Sequence, residues 1–209
     1  MEQLAGTTLS DRQLKRLTTI FSLGGESASQ AMSKWLRSDV VLKTEEVRQC
    51  KPYEATSLLG PPEDLITACV LNLEGGIEGK LVLAFDDESG LALTDLLLGR
   101  PAGTAQQWTA IEESAAAETA NILGCAYLNE LSRQISTGTG NDEIVPSPPE
   151  LQHDYASCMI ESLLMDQMIA SDDVLVIVTE LTRNSARLSW HMLLLPEPAS
   201  FARIASNMK

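Results

Sequence analysis

Aromatic side chains are scarce in this 209-residue chain, where three Trp, three Tyr and three Phe make up 4% of the sequence. A core must therefore be filled with aliphatic side chains and alanine, and the hydrophobic fraction of 44% is close to that of an ordinary soluble domain. Cations are scarce too: 15 Lys and Arg face 29 Asp and Glu, for a formal net charge of −14. Recognition of a nucleic-acid backbone needs clustered cations, so the balance argues against it, and equally against docking on an anionic membrane surface. A partner with a basic face is the natural complement. Trp35, Trp108 and Trp190 are too widely spaced to suggest a base-stacking platform. Cys50, Cys69, Cys125 and Cys158 form no CxxC pair, and His153 and His191 are the only histidines. A structural zinc site needs closer grouping, so buried free thiols in a reducing compartment are expected. No apolar run approaches the ~18 residues of a membrane span. The opening residues, MEQLAGTTLSDRQ, hold no basic segment followed by an apolar one, and a cytoplasmic location without membrane insertion is expected. Complete hydrolase motifs are absent as well, with no GxSxG, HExxH or P-loop lysine.

What is present is a pattern that runs twice. Ser10 reads as the cap of a first helix in which Leu14, Leu17, Phe21, Ala28 and Met32 recur at near-helical spacing to Trp35 and Leu36. Gly24-Gly25 interrupts it, which implies a bend or a close packing partner. A strand follows at 39–47, then a proline-rich loop at 51–63. Two apolar strands within 65–85 flank Glu74-Gly75-Gly76, a hairpin signal. A short helix capped by Asp86 or Asp87 ends at Gly99 and Pro101. A long helix then spans 106–134, with Trp108 anchoring its start, before a short strand at 143–145. A further helix near 149–169 has Pro148 and Pro149 near its start, His153 as a capping or surface residue, and Met159, Met165 and Met168 as a soft packing face. A second hairpin turns across 182–185, with His191 on a strand, and a short C-terminal helix closes the chain.

At an offset of 99 residues the long helices align, Gly25 with Gly124, Leu23 with Ile122, Met32 with Leu131 and Ser33 with Ser132. The expected architecture is one α+β domain over 1–209, with pseudo-repeats at approximately 10–99 and 106–207. An antiparallel or mixed sheet, packed on one side against long helices, would tie the repeats together.

In the second long helix Ile111, Ala115, Thr119, Ile122, Ala126 and Leu131 trace the stripe expected to face the core. Glu118 and Asn121 stand at i and i+3 beside it, on one face, among the small residues Ser114, Ala117, Gly124 and Cys125. Most Glu and Asn side chains on helices are merely solvated. Together, however, an amide can hold a water and a carboxylate can anchor a partner's cation. That pair suits a protein that positions an attacking water while its partner supplies the rest of the active site. Glu112 and Glu113 favour the helix dipole and would steer a basic face toward the pair.

The run ESAAAETANILGCAYLNEL resembles the second signature helix of the CheC/CheX/FliY family, bacterial chemotaxis phosphatases that act on the phosphorylated response regulator CheY. LTTIFSLGGESASQAMSKWL followed by DVVL resembles the family's first signature helix and next strand, and PSPPELQHDYASCMIESLL the segment after the second. The likeness covers almost the whole chain. It implies a CheC-like fold with two sites, of which the first is degenerate because Thr19 and Ser22 stand where the pattern has Glu and Asn. It implies a phosphatase of the aspartyl phosphate of a CheY-like receiver domain. Asn121 would orient water for in-line attack and Glu118 would dock on the receiver's lysine. This chain would bind no cofactor, the Mg2+ being carried by the phosphorylated receiver. The alternative is a non-catalytic scaffold that binds the regulator or a CheD-like deamidase.

Overall fold

In the computed structural model of the protein, residues 8–136, 142–168, 174–183 and 186–208 are described. The helix α1 (Asp11–Leu36) opens at a capping box, the Ser10 hydroxyl accepting from the Gln13 N–H and the Gln13 side chain accepting from the Ser10 N–H at 2.8 Å. It is followed by β1 (Val41–Cys50), α2 (Pro52–Leu59), β2 (Leu65–Gly75), β3 (Gly79–Asp86) and α3 (Asp87–Leu97). The second half contains α4 (Ala110–Ile135), β4 (Ile144–Pro146), β5 (Glu150–Tyr155), α5 (Ala156–Met168), β6 (Val174–Arg183), β7 (Ala186–Pro196) and α6 (Pro198–Asn207). Apart from the short β4, the order helix–strand–helix–strand–strand–helix occurs twice.

The duplication is built into the sheet. β3 and β7 pair at its centre, Leu81 opposite Leu194, with β2 and β6 outside them. Each outer strand then comes from the other half: β1 pairs with β6, Val47 opposite Ile177, and β5 pairs with β2, Cys69 opposite Leu151. Every pairing is antiparallel.

Helices cover both faces of this sheet, not one as the strand patterns suggest. Cys69, Leu71, Leu83, Phe85, Ile177 and Leu194 point into a core closed by α1, α3, α4 and α6. Their alternating neighbours Ala68, Val70, Val82, Ala84, Val176 and Leu193 point into a second core, to which α2 contributes Ala55 and Leu59, and α5 Ala156, Met159 and Leu163. A strand covered on both faces reads as a continuous apolar run, which is why β2 and β3 show no clean alternation.

The second layer comes from segments read differently in the sequence. The stretch 51–63, whose prolines and glycine predict a loop, contains α2, with Pro52 at its first turn where a missing N–H costs nothing. The helix expected near 149–169 begins later, because residues 150–155 pair with β2 as β5 before α5 starts. Edge pairing overrides the helical pattern there, and His153 lies on a strand opposite Thr67. α2 is thus the first-half counterpart of α5. The second hairpin forms as expected, but its central residues 184–185 lie outside the described ones.

Candidate functional site

α4 starts at Ala110, four residues after its expected start, because Thr109 is the cap. Its N–H donates to Glu112 at 3.2 Å and its hydroxyl also bonds that carboxylate, completing a capping box legible in Thr109-Ala-Ile-Glu112. Glu112 is buried and paired with Arg100, whose Nη2 donates at 2.7 Å and whose Nε lies 3.1 Å from the buried Asp95. Hydrogen bonds from Thr109 and Arg100 hold the Glu112 carboxyl down at about 2. Asp95 also accepts from the N–H groups of Thr104 and Ala105, so the α3–α4 loop is tied down by two carboxylates and one guanidinium. Glu112 is therefore structural and cannot steer a partner; Glu113 is exposed. Trp108 anchors the helix start as expected, donating to Asp87 at 2.8 Å and stacking on Phe85.

The buried side of α4 is rotated from the expected stripe. Ala116, Ala120, Leu123 and Tyr127 are in the core with Ala115, Thr119 and Leu131, whereas Ile122 and Ala126 are half-buried and Ile111 is 60% exposed. The small side chains let α1 approach closely. Gly24 and Gly25 mark a close contact, since Tyr127 lies directly against both of them.

This rotation leaves Glu118 exposed and Asn121 half-buried one turn further on. Among the described residues Glu118 has no ion-pair or hydrogen-bond partner. The Cys125 thiol donates to the Asn121 side-chain carbonyl across 3.8 Å, a weak contact that directs the amide N–H groups away from the thiol. Burial, then the charge of Glu118, push the Cys125 thiol up, so it remains a protonated donor at neutral pH. N-terminal to the pair, an open groove of about 470 Å³ runs between Trp35, Leu97, Leu98 and Ile111, and ends at Ser114 and Glu118. The exposed apolar side chains of that groove were missed in the sequence; the signal was Ile111, an isoleucine in a helical first turn otherwise made of acidic and small residues.

The corresponding face of α1 is arranged differently. The Thr19 hydroxyl donates to the Lys15 carbonyl at 3.0 Å, and the Ser22 hydroxyl to the Thr18 carbonyl at 2.7 Å. Both hydroxyls are turned back on their own helix.

His153 is exposed, its Nδ1 3.0 Å from the Thr67 hydroxyl and 3.3 Å from Asp87. Thr67 is fully buried, so this Thr–His–Asp grouping pins β5 to the start of α3 and offers no accessible nucleophile. His191 is half-buried on β7, and burial lowers its pKa. Met159 is buried; the Met165 and Met168 side chains lie outside the described ones. None of the four cysteines is in a disulfide, but only Cys69 is fully buried and Cys158 is exposed. Among the described residues, no group of three or more His, Cys, Asp or Glu is placed to hold a metal ion, and no helix is long and apolar enough to cross a membrane.

No family model matches the sequence, and no curated protein matches it. Solved structures do. FliY of Thermotoga maritima is 17% identical, with 97% of this chain and 98% of that one covered at a TM-score of 0.74. The FliM middle domain of H. pylori is 18% identical, with coverages of 95% and 99% and a TM-score of 0.67. FliM in a FliG–FliM complex from H. pylori is 19% identical, with coverages of 95% and 100% and a TM-score of 0.66. At these identities the likeness speaks for architecture, and it is end to end: the chain has the α+β fold of FliY and the FliM middle domain.

Proposed function

We propose that the chain is a cytoplasmic phosphatase of an aspartyl-phosphorylated, CheY-like receiver domain, with Glu118 and Asn121 as its working residues. The observation that carries this reading is the contrast between the two helices. On α4 a carboxylate without a partner among the described residues and an amide stand one turn apart on an accessible face. On α1 the equivalent hydroxyls are bonded within their own helix.

In this reading the receiver brings the acyl phosphate and its own Mg2+. Glu118 pairs with the receiver's lysine and sets the docking register. Asn121 then reaches the phosphoryl group and orients one water in line with the phosphorus–oxygen bond to be broken. The water oxygen bonds to phosphorus, the bond to the aspartate oxygen breaks, and inorganic phosphate and a free carboxylate result. An amide is not a useful base, so its contribution is position, and no covalent intermediate on this chain is needed.

Loss of phosphate from a phosphorylated receiver with Mg2+ tests the proposal. Acceleration by the wild type should fall about a hundredfold in Asn121→Ala, the scale for losing one well-placed polar group, and persist in Thr19→Ala. No acceleration with any receiver of the same genome would sink it.

A second reading is a binding module without turnover, which engages a receiver, a CheD-like deamidase or a motor component. It is favoured by the likeness to FliM, which in H. pylori has been crystallised with FliG and with SpeE. Receiver binding with unchanged phosphate loss in wild type and Asn121→Ala alike would establish it.

A further inference from the structure

The groove beside Glu118 is not explained by folding. Trp35 is 41% exposed, Leu98 40% and Ile111 60%, and all three line the same depression. Single exposed apolar side chains are ordinary on protein surfaces; three from different helices converging on one groove are not. Trp35 lies near the end of α1, Leu98 caps the end of α3 and Ile111 is in the first turn of α4. The loop joining the last two is held by the Arg100–Asp95–Glu112 cluster, so the groove is formed before any partner arrives.

We infer that this groove is a second hold on the receiver domain, taking an exposed aliphatic or aromatic side chain of that domain while Glu118 takes its lysine. The inference rests on the proposed function for the identity of the occupant. Two features of the groove favour that occupant over other apolar surfaces. Its one charged lining residue is Glu118, whose carboxylate has no partner among the described residues, so an occupant that brings a cation next to an apolar side chain complements it best. The groove also continues directly into the Glu118–Asn121 face along α4. Ile111, Glu118 and Asn121 follow in that order, with Glu118 about 10 Å and Asn121 about 15 Å from Ile111 along the axis at 1.5 Å per residue. The groove thus acts as a ruler. A receiver that seats its apolar side chain at Ile111 brings its lysine to Glu118 and its phosphoryl group to Asn121. Receivers lacking that side chain at that distance bind less tightly, and the groove becomes the part of the site that chooses among them.

The test separates binding from turnover. Receivers of the same genome, loaded with beryllofluoride and Mg2+ to mimic the phosphorylated state, are titrated against the wild type, Ile111→Ser, Trp35→Ala and Asn121→Ala. Val145→Ser, which changes an equally exposed apolar residue on β4, is the control. Ile111→Ser and Trp35→Ala should each weaken Kd at least tenfold and, assayed separately with the phosphorylated receiver at saturation, leave kcat within about twofold. Asn121→Ala should lose kcat with Kd retained, and Val145→Ser should change neither. Thermal melts confirm that both groove variants fold. Wild-type affinity in both would overturn the groove assignment while leaving the proposed function standing. A wild type that binds no receiver overturns both. Self-association of the wild type, abolished by Ile111→Ser, would assign the groove to a second copy of the chain and also overturn the inference.

Discussion

Gly24 of α1 is seated against Tyr127 of α4: a Cβ atom at position 24 would stand 2.6 Å from the Tyr127 Cδ1 and 3.0 Å from its Cα. The tyrosine ring can turn, but the backbone carbon cannot give way without separating the helices. Gly24→Ala should therefore destabilise the protein by about 1–3 kcal/mol, the usual range for overpacking, even though alanine is the better helix former. Urea unfolding measures this, and a more stable variant would contradict the contact.

Arg100 bridges Asp95 and Glu112, whose side chains are only 1% and 5% exposed. Removing it leaves two buried carboxylates without their ion pair. Arg100→Ala should cost about 3 kcal/mol, the lower end of the range for breaking buried pairs, because the guanidinium is itself partly in water. The loss should include the α3–α4 loop, read as faster amide exchange at Thr104 and Ala105.

Acid should act through Glu112. Its carboxyl is held at about 2, below the ordinary 4.5, mainly by Thr109 and then by Arg100. A lowered folded pKa means that the contribution is complete above about pH 4.5 and is lost as pH falls toward 2. Melting temperature should drop through that window, and Glu112→Gln should flatten that part of the profile.

The thiols should react in order of access and ionisation. Cys158 is exposed and should alkylate first at pH 8. Cys125, half-buried and raised by burial and Glu118, should follow, faster as pH increases. Cys69, buried and pushed up to about 12, should stay unmodified in the native protein. Peptide mass spectrometry after timed iodoacetamide treatment reads the order.

Association with a basic receiver face should slow as salt rises, because Glu113, Glu118 and a net charge of −14 act at long range and are screened over about 10 Å at 0.1 M salt. Stopped-flow on-rates between 20 mM and 500 mM salt check this, and a flat profile would remove steering from the account.

Local chemistry was enough to recognise much of the fold. The Ser10 cap, the Gly75-Gly76 hairpin and two long helices 99 residues apart depend on neighbours a few positions away, so they are written in the chain itself. Glu118 and Asn121 share a face by helical geometry alone. What depended on distant partners was not readable. Residues 150–155 have a helix-compatible pattern, yet form a strand because β2 offers them an edge. α2 was hidden by Pro52 at its start and by Gly60, Pro61 and Pro62 just past its end, and the second core it helps close covers strands that sequence pattern left half bare. The rotation of α4 was decided by Tyr127 fitting against two glycines a hundred residues away. That rotation put Ile111 outside rather than inside. Sequence determined which side chains could do chemistry; only tertiary packing decided that an apolar groove would lie beside them, because exposure depends on which neighbours arrive to cover a residue.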